Sequence, residues 1–279
     1  VQTLRLGAYQ MLFLTRIPHS AAVNSAVTLV KTHCKNPRAA GMVNGILRSM
    51  ERSLQNMPVI PQGDPVAYLS TLYSHPEWLV KEFILSLGEE ETAQLLAADN
   101  SQPPTAVMVN TTRTTAEELK TMLEDDHVEA EPHPWLENCL LLHRTGDLER
   151  LEAFQQGLFY VQDPASRLAV LAAGAKPGMK VLDCCAAPGG KSFAAAIAME
   201  NQGEIVSCDL HPHKKKLIQA GADRLGLTII SPKTADGKVF RPEWENAFDL
   251  VLVDAPCSGL GVIRKKPDIR YKDPAPLAD

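Results

Sequence analysis

Apolar positions recur at helical spacing through residues 1 to about 55: Leu4, Leu6, Ala8, Met11, Leu12 and Leu14, then Ala22, Val23, Ala26, Val27 and Val30, then Met42, Val43, Ile46 and Leu47. An apolar residue every three to four positions marks one buried face on each of a set of helices. Pro58, Pro61 and Pro65, with Gly63 and Asp64, then break the pattern, and Asp64-Pro65 reads as an N-cap followed by proline at the first helical position. Helical periodicity resumes over 76–87, stops at Gly88, and returns over 89–98 before a turn at 100–104.

From Thr105 the texture alternates. Residues 106–109 are strand-like, 115–123 helical with Glu117 and Glu118 in the first turn, 139–142 strand-like, and 148–156 helical between Asp147 and Gly157. Asp163-Pro164-Ala165-Ser166 opens a helix that runs to Ala173 and stops at Gly174. Beyond it, strands at 180–184, 204–208, 227–231 and 249–253 alternate with helical stretches, the signature of β-α-β units in a mainly parallel sheet. The expected chain is therefore multidomain: an all-α region over 1–57, linker helices with a small α/β module over 58–154, and a Rossmann-like α/β domain over 155–279.

A chain of 279 residues with 45% hydrophobic content has enough material for more than one core. No stretch of 18 uninterrupted apolar residues occurs, and the N-terminus lacks a basic-then-apolar signal pattern, so the expectation is a cytoplasmic monomer that neither enters a membrane nor is secreted. The six cysteines form no C-x-x-C pair, which argues against a zinc site and a disulfide framework; Cys34, Cys139, Cys184 and Cys208 read as core hydrophobes. His211-Pro212-His213 lacks neighbouring ligands, so no metal is assigned. The net charge of -5 does not suggest a nucleic-acid binder, yet 264–272 carries five basic residues against one acid. A second, weaker run lies at 213–216, where a solvated helix start is an equal reading.

Two runs carry the chemistry. Val181-Leu182-Asp183-Cys184-Cys185-Ala186-Ala187-Pro188-Gly189-Gly190-Lys191-Ser192 reads as strand, glycine turn and helix start, and the apolar strand 249–253 ends in Asp254-Ala255-Pro256-Cys257-Ser258-Gly259. Ligands of open parallel sheets collect beyond the carboxyl ends of strands, where both runs would sit. A P-loop nucleotidase nearly fits, since Gly190-Lys191-Ser192 matches the end of G-x-x-x-x-G-K-[ST]. Its first glycine falls on Cys185, however, where a side chain would crowd a phosphate-wrapping loop.

Cys185-Ala-Ala-Pro-Gly-Gly-Lys191 together with Asp254-Ala-Pro-Cys257-Ser-Gly259 resembles the S-adenosylmethionine-dependent RNA cytosine-C5 methyltransferases, and most closely the Sun/Fmu type acting on bacterial 16S ribosomal RNA. The segment 39–48 resembles the last helices of the NusB-like RNA-binding domain of that type, and Tyr160-Val161-Gln162 matches the approach to its catalytic domain.

The resemblance implies that Cys185, Ala186, Ala187, Pro188, Gly189, Gly190 and Lys191 hold the amino-acid moiety of S-adenosyl-L-methionine. It implies the cofactor ribose for Asp209, with helix capping as the alternative, and the adenine amino group for Asp236, with a plain Asp-Gly turn as the alternative. Asp254 would stand between cofactor and target base, Pro256 would hold the loop, and Arg264, Lys265, Lys266 and Arg270 would meet phosphates of 16S ribosomal RNA. Enzymes of this kind use two cysteines. Cys257 matches the one that assists product release, whereas the nucleophilic Thr-Cys cysteine is expected beyond Asp279. The chain is thus expected to be a fragment lacking its first helices and later strands, with an apolar sheet edge left uncovered. A nucleotidase and a noncatalytic RNA-binding module are the competing readings.

Overall fold

The computed structural model describes residues 1–34, 36–56, 58–143 and 145–272; position 57, the end of the first expected region, and 273–279, the end of the last, lie outside these. The chain forms two compact units, Val1–Ala93 and Gln94–Asp279.

In the first unit, α1 (Gln2–Phe13), α2 (His19–His33) and α3 (Ala39–Arg52) pack around Met11, Ala22, Val23, Ala26, Val30, Ala40, Val43 and Leu47. These are the positions that the helical stripes mark, because a 3.6-residue period brings them to one side. Gly7 permits the close approach of α1, since a Cβ there would stand 2.7 Å from a Leu47 methyl. Next come α4 (Pro65–Tyr73) and α5 (Glu77–Leu87). Asp64 caps α4 by accepting the Val66 amide at 3.0 Å, and Gly88, at φ +83°, ends α5.

Helix α6 (Glu89–Asp99) leads into an antiparallel sheet of order β2-β3-β1-β4, made of β1 (Thr105–Val109), β2 (Glu129–Pro132), β3 (Cys139–His143) and β4 (Phe159–Val161). Its register pairs Val107 with Leu140 on one side and with Val161 on the other. Helix α7 (Ala116–Asp125), held by a capping box between Thr115 and Glu118, lays Leu119 and Leu123 on the sheet. Three features depart from the sequence pattern. Strand β2 is an edge that buries only Ala130, so it has no apolar alternation to betray it. Strand β4 lies past the expected boundary at 155 and completes this sheet rather than the parallel one. The expected helix over 148–156 divides into a 3-10 turn at Leu148–Arg150 and α8 (Glu152–Gln155), because Leu151 is extended at ψ 136°.

After α9 (Pro164–Ala173) a parallel sheet of order β7-β6-β5-β8 is built from β5 (Lys180–Asp183), β6 (Glu204–Asp209), β7 (Ile230–Thr234) and β8 (Leu250–Leu252), linked through α10 (Gly190–Ala198) and α11 (Pro212–Leu225). Strand β7 starts three residues later than the pattern suggests, because the Leu227 amide closes the end of α11 on Ala222 O. Ala194, Ala195 and Ala196 are fully buried, and their small side chains let α10 lie close to the sheet above Val181 and Ile205.

The two sheets are joined by a polar clamp with a buried asparagine at its centre. Asn110, fully buried, donates to Gly157 O and Leu225 O, both at 2.9 Å, while its own oxygen accepts from Thr112 Oγ1 at 2.6 Å. Arg113 donates to Gln156 O and Arg224 O, and Arg224 donates to Phe154 O and Phe159 O with its guanidinium 3.7 Å above the Phe154 ring. Gly157 and Gly226, at φ +70° and +71°, make room for this, since a Cβ at either would collide with it.

Candidate functional site

The carboxyl ends of the parallel strands are stitched together by backbone bonds that run past the ladder. Cys184 N donates to Leu252 O at 2.9 Å, Ala186 N to Cys208 O at 2.8 Å, and Ala235 N to Asp209 O at 3.0 Å. These bonds hold the loops after β5, β6, β7 and β8 at one rim, so Cys185, Asp209, Asp236 and Asp254 emerge from it side by side.

The first loop turns at Gly189, whose φ of +119° suits glycine alone and whose absent Cβ leaves space for the Phe193 ring. Helix α10 starts one residue later, and its first-turn amides have no acceptor within the helix. Behind this turn, Ser192 Oγ donates to Asp183 Oδ2 at 2.7 Å and lies 2.7 Å from Ser207 Oγ. All three side chains are fully buried. Burial pushes the Asp183 carboxyl up to about 6 against the pull of the Ser192 hydrogen bond and of Lys191.

Lys191 Nζ reaches Asp254 Oδ2 at 2.5 Å. The contact joins the two motif loops, and beside it opens a cavity of about 180 Å³ lined by Val161, Gln162, Ser166, Cys185, Ala186, Ala187, Pro188, Gly190, Lys191 and Asp254. Cys185 is partly buried, and burial, followed by the charges of Asp183, Asp209 and Asp254, holds its thiol above the ordinary range. Asp209, 7% exposed, accepts the His211 amide at 3.1 Å and has Lys214 Nζ at 3.5 Å, both on Oδ1. The other oxygen, Oδ2, has no partner among the described residues. Asp236 accepts the Lys238 amide at 2.9 Å in an Asx turn, and Gly237 passes over Cys184. Pro256 and Cys257 are exposed, two and three residues beyond Asp254, and do not line the cavity.

The basic stretch is less uniform than its sequence. Arg264 donates to Ser101 O and Gln102 O, Lys265 pairs with Asp163 at 2.7 Å, and Lys266 is exposed. Arg270, expected at the phosphate-facing rim, is instead 4% exposed and donates to Asn100 Oδ1 at 2.9 Å and to Pro267 O at 3.1 Å. A short 3-10 turn at Pro267–Tyr271 rotates it inward, away from its neighbours in the run. Local charge density cannot distinguish the two orientations.

The donor set fits a zwitterionic nucleoside better than a triphosphate. Two of the amides a phosphate loop would present, Ala186 N and Gly189 N, are consumed by Cys208 O and Ala186 O. The remaining first-turn amides suit a single carboxylate, and Asp209 suits vicinal hydroxyls. Sequence reasoning missed Asp183, Ser192 and Gln162 as parts of this site. Asp183 and Ser192 stood in the first motif run without a role of their own, and Gln162 in the resemblance of Tyr160-Val161-Gln162.

An open parallel sheet with such a rim, preceded by a four-stranded antiparallel module, defines a Rossmann-like methyltransferase domain with an appended α/β module. Residues 170–277 match the family model of the 16S rRNA methyltransferase RsmB/F, 75–149 the ferredoxin-like domain of RsmF/B-like methyltransferases, and 1–52 the NusB family. Successive parts of the chain thus match the domains of the RsmB/F methyltransferases. The chain is 42% identical to the probable ribosomal RNA small subunit methyltransferase B of Bacillus subtilis over 97% of its own length and 60% of that protein. With the ribosomal RNA small subunit methyltransferase B of Vibrio cholerae it shares 33% identity over 95% of its length and 59% of the relative. The crystal structure of PH0851 superposes with a TM-score of 0.78 at 26% identity, covering 99% of this chain and 62% of that one. The chain thus spans about 60% of the length of the curated relatives it matches. Among the described residues no helix is long and apolar enough to cross a membrane.

Proposed function

We propose that this chain binds S-adenosyl-L-methionine and presents a cytosine of 16S ribosomal RNA for methylation at C5. The observation that carries the reading is the Lys191–Asp254 contact, which makes the glycine loop and the Asp-Ala-Pro-Cys loop walls of one cavity. The cofactor, when bound, supplies an electrophilic methyl group. The first-turn amides of α10 hold its carboxylate, Asp209 its ribose hydroxyls and Asp236 its adenine amino group.

The target base must leave its stack to reach the rim. Asp254 accepts from the cytosine amino group, and Pro256 fixes the loop that follows. Cytosine C5 is a weak nucleophile, so a thiolate first adds to C6 and leaves C5 enamine-like. C5 takes the methyl group, loses its proton to a base, and the thiolate departs as the C5–C6 double bond re-forms. Cys257 assists that departure. The nucleophile's part belongs to a Thr-Cys cysteine, and residues 1–279 contain no Thr-Cys pair. Arg264, Lys265 and Lys266 meet RNA phosphates, with the NusB-like helices as a second RNA-binding surface.

Calorimetric titration tests the cofactor half: S-adenosylhomocysteine should bind this chain and ATP should not, and the reverse would install a nucleotidase in its place. Transfer of a labelled methyl group to unmodified 16S RNA by a protein that carries this chain together with a Thr-Cys cysteine, with the labelled base identified after nuclease digestion, tests the substrate half. Label on any base other than cytosine would refute it.

A further inference from the structure

The cavity between the two motif loops has one wall that neither motif supplies. Gln162 follows β4 and is 7% exposed. Its Oε1 accepts from the Tyr160 hydroxyl at 3.2 Å, whereas Nε2 has no acceptor among the described residues and lies on the cavity side, 3.3 Å from where a Cβ on Gly190 would stand. The NH2 group is open to the cavity, where the acceptor of a bound molecule can meet it.

The orientation of this amide is set from behind. Arg167 donates to Ala194 O at 2.9 Å, and its charge favours the ionised Tyr160 phenol against the stronger effect of burial. The Tyr160 hydroxyl donates to Gln162 Oε1 and so fixes which end of the carboxamide faces it. With Oε1 held by Tyr160, the NH2 group faces the cavity. Tyr160 is itself buried against Phe193 in an edge-on contact at 5.9 Å, which restricts the ring.

At about 180 Å³ the cavity is smaller than the roughly 300–1,000 Å³ sites that enclose drug-sized molecules and is of a size for one planar ring. Its amide and charged side chains offer two donors, Gln162 Nε2 and Lys191 Nζ, and one acceptor, the Asp254 carboxylate, beside the Ser166 hydroxyl and the Cys185 thiol. Cytosine presents the complement on its pairing edge: acceptors at O2 and N3 and a donor at the exocyclic amine. Uracil reverses two of these, with a donor at N3 and an acceptor at O4.

We infer that Gln162 is a base-specificity residue, donating from Nε2 to the O2/N3 edge of the target pyrimidine so that cytosine is accepted and uracil refused. The inference rests on the proposed cytosine chemistry of this site and adds to it a residue outside both motifs. A base that met only Lys191 and Asp254 would be held at one corner, because those two groups already contact each other.

The test measures equilibrium binding of this chain, in the presence of S-adenosylhomocysteine, to a fluorescent pentaribonucleotide with one central cytosine among adenosines, and to the same oligomer with central uracil. Wild type should prefer cytosine by about three- to tenfold, the span of one or two net hydrogen bonds. Gln162→Leu should abolish the preference, and Gln162→Glu, which replaces the donor with an acceptor, should bring uracil level with cytosine or ahead of it. Tyr160→Phe, which removes the proton that Gln162 Oε1 accepts and keeps the ring, should lower the preference at least twofold. Each variant's thermal midpoint verifies folding. If wild type prefers cytosine and all three variants keep that preference, the assignment of Gln162 is overturned while the function reading stands. If wild type itself shows no preference, the cytosine reading falls, and Gln162 with it.

Discussion

Lys191 Nζ and Asp254 Oδ2 meet at 2.5 Å across 63 residues of sequence, and this contact turns two separate strand-end loops into one site. Lys191 is 18% exposed while the Asp254 side chain is 57% exposed, so the pair contributes little to folding, on the order of 0–1 kcal/mol. Its effect should be read in chemistry. In a protein that carries this chain together with a Thr-Cys cysteine, Lys191→Met is expected to lower methyl transfer roughly 10²-fold, comparable to removing one preorganised charge-stabilising group. Initial rates of label incorporation alongside denaturation midpoints check this, and a large loss of stability with an unchanged rate would mean that the pair is structural.

Asp183 makes stability depend on pH in an unusual direction for a carboxylate. Its value in the fold is about 6, raised chiefly by burial from an ordinary 3.8. Between those values the folded chain binds more protons than the unfolded chain, so this group's contribution is fully present below about 4 and is lost as pH rises through 6. At roughly 1.4 kcal/mol per unit the change is about 3 kcal/mol. Asp183→Asn should flatten the corresponding part of the stability profile. Thermal midpoints of both proteins across pH 4 to 7 provide the comparison, and parallel curves would rule the proposed ionisation out.

Asn110 carries the junction between the two sheets. Truncation to alanine strands the Gly157 and Leu225 carbonyls, each a buried acceptor worth about 1–3 kcal/mol when left unpaired, so a loss of about 2–4 kcal/mol is expected. Urea denaturation measures it, and a loss below about 1 kcal/mol would mean that water replaces the side chain at little cost.

Lys266 and Arg270 share one basic run but should behave oppositely. Lys266→Ala should reduce the salt dependence of single-stranded RNA binding by roughly 0.7 in log–log slope while leaving the fold intact. Arg270→Ala should leave the slope unchanged and lower stability by about 2–3 kcal/mol, since its guanidinium is held inside the protein. Fluorescence titrations at several salt concentrations and denaturation curves separate the two, and a changed slope for Arg270→Ala would return that residue to the RNA surface.

Exposure also orders the thiols. Cys34 and Cys257 are exposed, whereas Cys139 and Cys208 are buried, and burial pushes each of the latter up to about 11. Brief iodoacetamide treatment at pH 8 should alkylate the first two and spare the second two. Mass spectrometry of the peptides reads the outcome, and early labelling of Cys208 would contradict the packing of β6.

Local order was legible wherever the chain's own neighbours create it. The stripes ending in Val30 and Leu47, the Asp64-Pro65 and Asp163-Pro164 caps and the parallel strands around Val181 and Ile205 follow from periodicity and capping chemistry. So did the two motif runs, because glycine, proline and an acid at a strand end have few other uses in that spacing. Tertiary structure alone decided which distant groups meet. It put β4 in the antiparallel sheet, turned Arg270 inward while its neighbours stayed exposed, set Ser192 against Asp183 and Ser207, and brought Gln162 to a cavity shared with Lys191 and Asp254. Periodicity records how often a residue faces the core. It carries no information on which partner waits there, since pairing between distant segments depends on the packing of the whole sheet.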